Sequence, residues 1–323
     1  MPISVISPVS PAIGRVRTIL FDPFDLGKWF TLGFCAWLAH LGEGGGGGAG
    51  FHGGGGGGGP GGGPGADFQP VLDWIRDNLA LILLVALAVF VVLFSIGLLL
   101  TWLSSRGQFM FLDGVVRNRG AVREPWGEFR YEGNSLFLFR VCLGLAVFCL
   151  FIVIAAGSVA VAWPDIQARQ FGASAVMALV LGIVLLLLLI IAVGCVGLFL
   201  TDFVVPIMYL RRTSVMPAWR EFYGFLLADH VGTFVLYVLF KIVIGLVIGV
   251  MTVMITCLTC CCAALPYIGT VILLPLLVFL RAYPLYFLEQ FGPEWQLIPG
   301  QYDLPPAGKR HPGDQYGWHA EEH

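Results

Sequence analysis

Long, nearly uninterrupted apolar stretches alternate with shorter segments rich in arginine, carboxylates and glycine. A membrane-crossing helix needs about 20 mostly apolar residues, and six stretches come near or reach that length. They lie near residues 26–42, 79–103, 135–163, 174–201, 231–258 and 264–288, the first of them short. Pro275 stands near the middle of the sixth and predicts a kink there. The pattern predicts an all-α integral membrane protein with six transmembrane helices. Residues 1–25 form a cytoplasmic interfacial segment, 26–290 the membrane domain and 291–323 a disordered cytoplasmic tail.

Composition strengthens this reading. Hydrophobic residues make up 58% of the 323, charged residues 12%, and mean hydropathy is +0.86. A soluble domain carries roughly twice that share of charge, so too little polar surface exists to coat a water-soluble globule. The net charge of −2 adds little, because the charges are unevenly placed. Residues 1–24 lack a compact apolar core followed by a small-residue cleavage site, so no cleavable signal peptide is expected.

Arginine and lysine set the expected orientation. Arg15, Arg17 and Lys28 precede or open the first span, and Arg106, Arg117, Arg119, Arg123 and Arg130 lie between the second and third. Arg211, Arg212 and Arg220 lie between the fourth and fifth, and Arg281, Lys309 and Arg310 mark the C-terminal side, against only Arg76 and Arg169 opposite. Both termini are expected in the cytoplasm, in a bacterial inner membrane. Trp74, Trp102 and Trp163 stand at span ends, where aromatic belts form.

The sequence Trp126–Phe129, WGEF, recurs as WREF at Trp219–Phe222. Each follows an aromatic run and a basic cluster, and a weaker echo closes the sixth span as AYPLYFLEQFGPEW. The implied unit is one interfacial helix plus two spans, present three times as parallel repeats. The amphipathic segments AVREPWGEFRYEG and VMPAWREFYGFLL are expected along the cytoplasmic interface, basic side chains toward anionic headgroups. Candidate lipid or partner contacts are therefore Arg117, Arg119, Arg123, Arg211, Arg212, Arg220, Trp126 and Trp219.

FLDGVVRNRGAVREPWGEFRYEGNSLF and LPYIGTVILLPLLVFLRAYPLYFLEQFGPEW resemble stretches of an uncharacterised family of bacterial multi-pass inner-membrane proteins. That family is in turn distantly similar to the membrane domain of some glycerophosphodiester phosphodiesterases. The resemblance implies membrane residence and no catalytic residues, and no phosphodiesterase domain is expected in the short tail.

Residues 42–66 contain 18 glycines. A phosphate-binding loop needs a lysine and a preceding strand, and both are missing here. The segment reads as an extracytoplasmic strap, with a mean reach of roughly 27 Å for 24 residues. A flap or tether anchored by Phe51 and His52 is the functional alternative.

Lys241 lies about 15 Å into the fifth span at 1.5 Å per residue. An intramembrane cation costs roughly 2.5–3.5 kcal/mol on insertion scales, so it pairs, snorkels or lines a path, and Asp202 is the candidate partner. Arg140 is shallower and reads as snorkelling. Cys257, Cys260, Cys261 and Cys262 form CLTCCC at the outer end of the same span, either packing or a disulfide or redox thiol in the oxidising outer compartment. No second ligand pair suggests a metal. The terminal HAEEH matches H-x-x-E-H but lacks a buried helix and a downstream ligand. Asp113, Glu124, Glu128, Glu132, Glu221, Asp229 and Glu289 alternate with arginine and read as a salt-bridge network.

The expected role is non-enzymatic, without cofactor or metal. It is a membrane scaffold or accessory protein whose basic cytoplasmic face binds anionic lipid or a partner, either another membrane protein or a second copy. Nucleic acid is not expected. A transporter or channel with Lys241 on its path is the alternative, and an extracytoplasmic thiol oxidoreductase is a third.

Overall fold

A computed structural model describes residues 3–41, 78–168, 172–228, 230–259 and 266–298. Every regular element among them is helical. In chain order these are α1 (Val9–Leu20), α2 (Leu26–His40), α3 (Leu79–Arg117), α4 (Arg123–Glu128), α5 (Arg130–Ala168) and α6 (Ala173–Arg211). There follow α7 (Val215–Glu221), α8 (Val231–Leu258), α9 (Pro266–Ile272) and α10 (Leu274–Glu289). Two π turns interrupt the α-helical register, Leu200–Val204 inside α6 and Phe222–Leu227 after α7.

Four helices, α3, α5, α6 and α8, are long and apolar enough to cross a membrane. Their most apolar stretches are almost wholly exposed in the isolated chain, as surfaces solvated by lipid must be. The expected first and sixth spans come out shorter. The first is α2, 15 residues and about 22 Å long, less than the roughly 30 Å hydrocarbon core. The sixth is divided into α9 and α10 at Leu273. The break falls just ahead of Pro275, because proline removes an N–H and its ring crowds the carbonyl four residues back.

The core gathers at one end of the long helices. On α3 burial begins at Ser104 and continues to Val116, whereas most large side chains from Leu79 to Leu99 are exposed. α2 runs antiparallel along this buried third. A Cβ at Gly107 would lie 2.6 Å from the Ala39 nitrogen, one at Gly114 2.4 Å from Leu32, and Lys28 Nζ donates to Asn118 Oδ1 at 2.6 Å. Only glycine permits the approach at 107, since the obstruction there is backbone. Asp25 caps α2, accepting from the Gly27 and Lys28 amides. α1 packs on α10, its Ala12, Ile19 and Leu20 are buried, and Arg15 donates to the Val115 and Val116 carbonyls at the end of α3. Those carbonyls have no intrahelical partner, so a cation there satisfies them and the helix dipole together.

Both α3 and α6 end in a left-handed residue, Asn118 (φ 54°) and Arg212 (φ 53°). Asparagine tolerates that conformation. Arginine does so less readily, and Arg212 is held by its guanidinium over the Phe129 ring at 4.1 Å and by an ion pair to Glu128. The glycine-rich segment 42–66 and the tail from residue 299 lie outside the described residues.

Candidate functional site

The buried charges centre on the π turn of α6. Within it the Val205 amide donates to Leu200 O, five residues back. In that register the next donor would come from residue 206 to Thr201 O, but residue 206 is proline and has no N–H. Arg281 Nη1 from α10 fills the gap, donating to Thr201 O at 2.8 Å. The adjacent Asp202 is buried. Its Oδ2 accepts from Tyr237 OH at 2.8 Å and lies 2.9 Å from Lys241 Nζ. Tyr237 and Lys241 are one turn apart on α8, so both reach the same oxygen.

Two further prolines follow the same rule. Pro284 frees the carbonyl of Leu280, and Lys241 Nζ reaches that oxygen at 3.5 Å. Pro275 frees the carbonyl of Val271, and Trp29 Nε1 donates to it at 2.9 Å. A proline is tolerated in a membrane helix when a neighbouring side chain satisfies the freed carbonyl. At positions 206, 275 and 284 the satisfying groups are Arg281, Trp29 and Lys241, each from another helix.

Aromatic rings surround the Asp202–Lys241 pair. Tyr237 touches Phe203 (centroids 4.9 Å apart), Phe287 (4.6 Å) and Tyr283 (5.7 Å, stacked). Tyr283 OH donates to Val5 O at 2.8 Å, which ties the N-terminal segment to α10. The Lys241 and Asp202 side chains are only 15% and 8% exposed. A carboxylate neutralised by an ammonium and a phenol, packed among rings, locks helices together and offers no free acid or base.

A second ionic assembly lies where α3, α4 and the end of α6 meet. Asp113, fully buried, binds Arg117 Nε at 3.2 Å and Arg119 Nε at 2.9 Å, and accepts from Tyr209 OH at 2.9 Å. Glu128 bridges Arg117 (3.1 Å), Arg119 (3.7 Å) and Arg212. Arg119 also pairs with Glu124 at 2.6 Å, Arg212 with Glu132 at 3.8 Å, and Arg211 with Glu221 at 3.0 Å. Partial burial pushes the Glu128 carboxyl up, but the hydrogen bonds and charges of Arg212 and Arg117 outweigh it and hold the group below its ordinary range.

The sequence-derived candidates thus divide. Arg117, Arg119, Arg211 and Arg212 are engaged by carboxylates of the same chain. Arg123 and Arg220 are exposed on α4 and α7 and form no ion pair among the described residues. Trp126 packs edge-on to Trp102 at 5.7 Å, and both lie under the Arg106 guanidinium. Trp219 packs on Phe139 and Phe222. Arg140 Nη1 reaches Ser104 Oγ at 3.3 Å. Cys257 is an exposed free thiol, while Cys260, Cys261 and Cys262 lie outside the described residues. Among the described residues no group of three or more His, Cys, Asp and Glu could hold a metal ion.

Sequence reasoning missed Arg281 and Tyr237 as parts of the site. The available signal was proline position: counting back four residues from Pro275 and Pro284 names the carbonyls that need donors.

A family model, described as a family of unknown function, DUF7544, matches residues 3–277. The chain belongs to that family. The match fits the expected uncharacterised family and gives no support to a likeness to glycerophosphodiester phosphodiesterases. No curated protein and no solved structure matches the chain.

Proposed function

We propose that this chain is a non-enzymatic, six-crossing membrane scaffold or accessory protein whose compact end faces the cytoplasm of a bacterial cell and engages lipid or a partner. The observation that carries this reading is how the buried charges are used. Lys241, Asp202 and Arg281 bind one another's helices and proline-freed carbonyls, and the arginines nearest Asp113 bind carboxylates. The polar groups that resemble a site are ties between helices.

Chain path supports six crossings even though only four helices are long enough alone. Phe291 packs on His230, with ring centroids 5.3 Å apart, at the start of α8. The segment after Leu258 must therefore return along the whole of α8, and if α8 crosses, so does that return. Likewise Lys28 touches Asn118 at one end of α3, and residue 78 stands at the other, about 58 Å away for 39 helical residues. Residues 29–77 must cover that span.

Local geometry also supports a repeated unit. Phe109 stacks on Phe129 at 5.9 Å and Phe203 on Phe222 at 5.3 Å. Arg117 pairs with Glu128 and Arg211 with Glu221, and a left-handed residue follows each of these arginines. The two WxEF segments thus fold back on the preceding helix in the same way.

The transport alternative requires water at Lys241. The test replaces the native cysteines, introduces Lys241→Cys and applies a membrane-impermeant thiol reagent from each side, with Ala66→Cys as a reactive control. A scaffold leaves position 241 unlabelled. Labelling of a variant that remains folded would make this a solute path and overturn the reading.

A further inference from the structure

We infer that three corners of the compact end form one ring of anchors for anionic phospholipid headgroups. This rests on the scaffold reading and names its ligand. The first corner is α1 and its turn, exposing Arg17, Phe21 and Phe24; the second is α4 and the start of α5, exposing Arg123 and Tyr131; the third is α7 and its π turn, exposing Arg220, Tyr223 and Phe225.

Three observations join them. They converge on one place. Arg15 ties α1 to the Val115 and Val116 carbonyls at the end of α3, Glu128 ties α4 to Arg117 there, and Arg212, just before α7, binds the same Glu128. The corners therefore share a level.

Each corner also runs into the exposed apolar face of the helix after it. Phe21 and Phe24 lead to Phe30 on α2, Tyr131 to Leu138 on α5, and Tyr223 and Phe225 to Val231 and Val235 on α8. A ring of exposed aromatic side chains continuous with a lipid-facing surface sits at the water boundary, where aromatic belts form.

Finally, some exposed cations are left over. Arg17, Arg123, Arg130 and Arg220 are exposed and have no ion pair among the described residues, while Arg117, Arg119, Arg211 and Arg212 are held by carboxylates. Free guanidiniums beside partly inserted rings suit phosphate-bearing, negatively charged lipid.

The test uses the full chain in detergent, loaded with an equimolar mixture of phosphatidylglycerol and phosphatidylcholine and read by native mass spectrometry. Wild type is expected to retain phosphatidylglycerol preferentially. The triple variant Arg17→Gln, Arg123→Gln, Arg220→Gln should lose about fivefold in that preference per arginine, and the corresponding lysine variant should keep it. Should the glutamine triple unfold, Arg220→Gln alone carries the comparison, with a loss of about fivefold. A wild type without preference, or a folded glutamine variant that retains it, overturns the inference, and the first outcome would favour a protein partner. Failure of the scaffold reading has a separate signature, labelling at Lys241→Cys, which does not depend on lipid preference.

Discussion

Two parts of one helix, α3, show the main division in this molecule. From Leu79 to Leu99 it is almost purely apolar and exposed. From Ser104 to Val116 it is buried, yet it carries Ser104, Ser105, Arg106, Gln108 and Asp113. The buried third is thus the more polar one, the reverse of a soluble protein. Lipid tails are as apolar as leucine, so hydrophobicity cannot decide which face packs inside a membrane. Close approach at Gly107, side-chain bonds to stray carbonyls and ion pairs decide it instead. Hydrophobic residues place the chain in the membrane, and the rarer polar ones determine how the helices meet.

The contrast can be broken most forcefully at its ionic centre. Asp202→Leu or Lys241→Met alone leaves a buried charge without its partner, and each should cost about 3–5 kcal/mol, read from chemical unfolding in detergent. Next in size is Trp29→Phe, which leaves the Val271 carbonyl unsatisfied beside Pro275. A loss of about 1–3 kcal/mol is expected, with proteolysis at the α9–α10 junction appearing first.

Acid should act at the other assembly. Glu128 is held below its ordinary range in the folded chain, so its contribution is complete above the unfolded carboxylate value and fades as pH falls through the depressed one. Unfolding midpoints should be flat in this contribution near neutrality and drop only in acid, and Glu128→Gln should flatten part of that drop. The smallest effect belongs to the exposed length. Leu93→Ala removes no packing partner in the isolated chain and should change stability by no more than about 0.5 kcal/mol. A loss as large as that from Trp29→Phe would mean that the apolar length is packed after all.

Much of this was legible in the sequence. Apolar length alone marks α3, α5, α6 and α8, and an isolated lysine opposite an aspartate at a span end suggests the pair at Asp202 and Lys241. Pro275 announces a break, which comes at Leu273. That the carboxylates of this face pair with arginine was legible, but which arginines they take was not. Arg117 and Arg123 look alike in a basic loop, and only the fold-back of α4 onto the end of α3 separates the ion-paired one from the unpaired one. Arg281 was hidden for the same reason, because its acceptor, Thr201 O, is freed by a proline on a different helix. A π turn shifts that acceptor from four residues back to five, and sequence periodicity does not reveal such a shift.

The most direct measurement is a double-mutant cycle on Asp202 and Lys241, with the unfolding free energies of Asp202→Leu, Lys241→Met and the double variant compared to wild type. If the pair is a tie between α6 and α8, each single variant loses several kcal/mol and the double regains most of it, since no charge is then left buried alone. Single losses that simply add, or that are negligible, would contradict the account and show that these two charges do not hold the helices together.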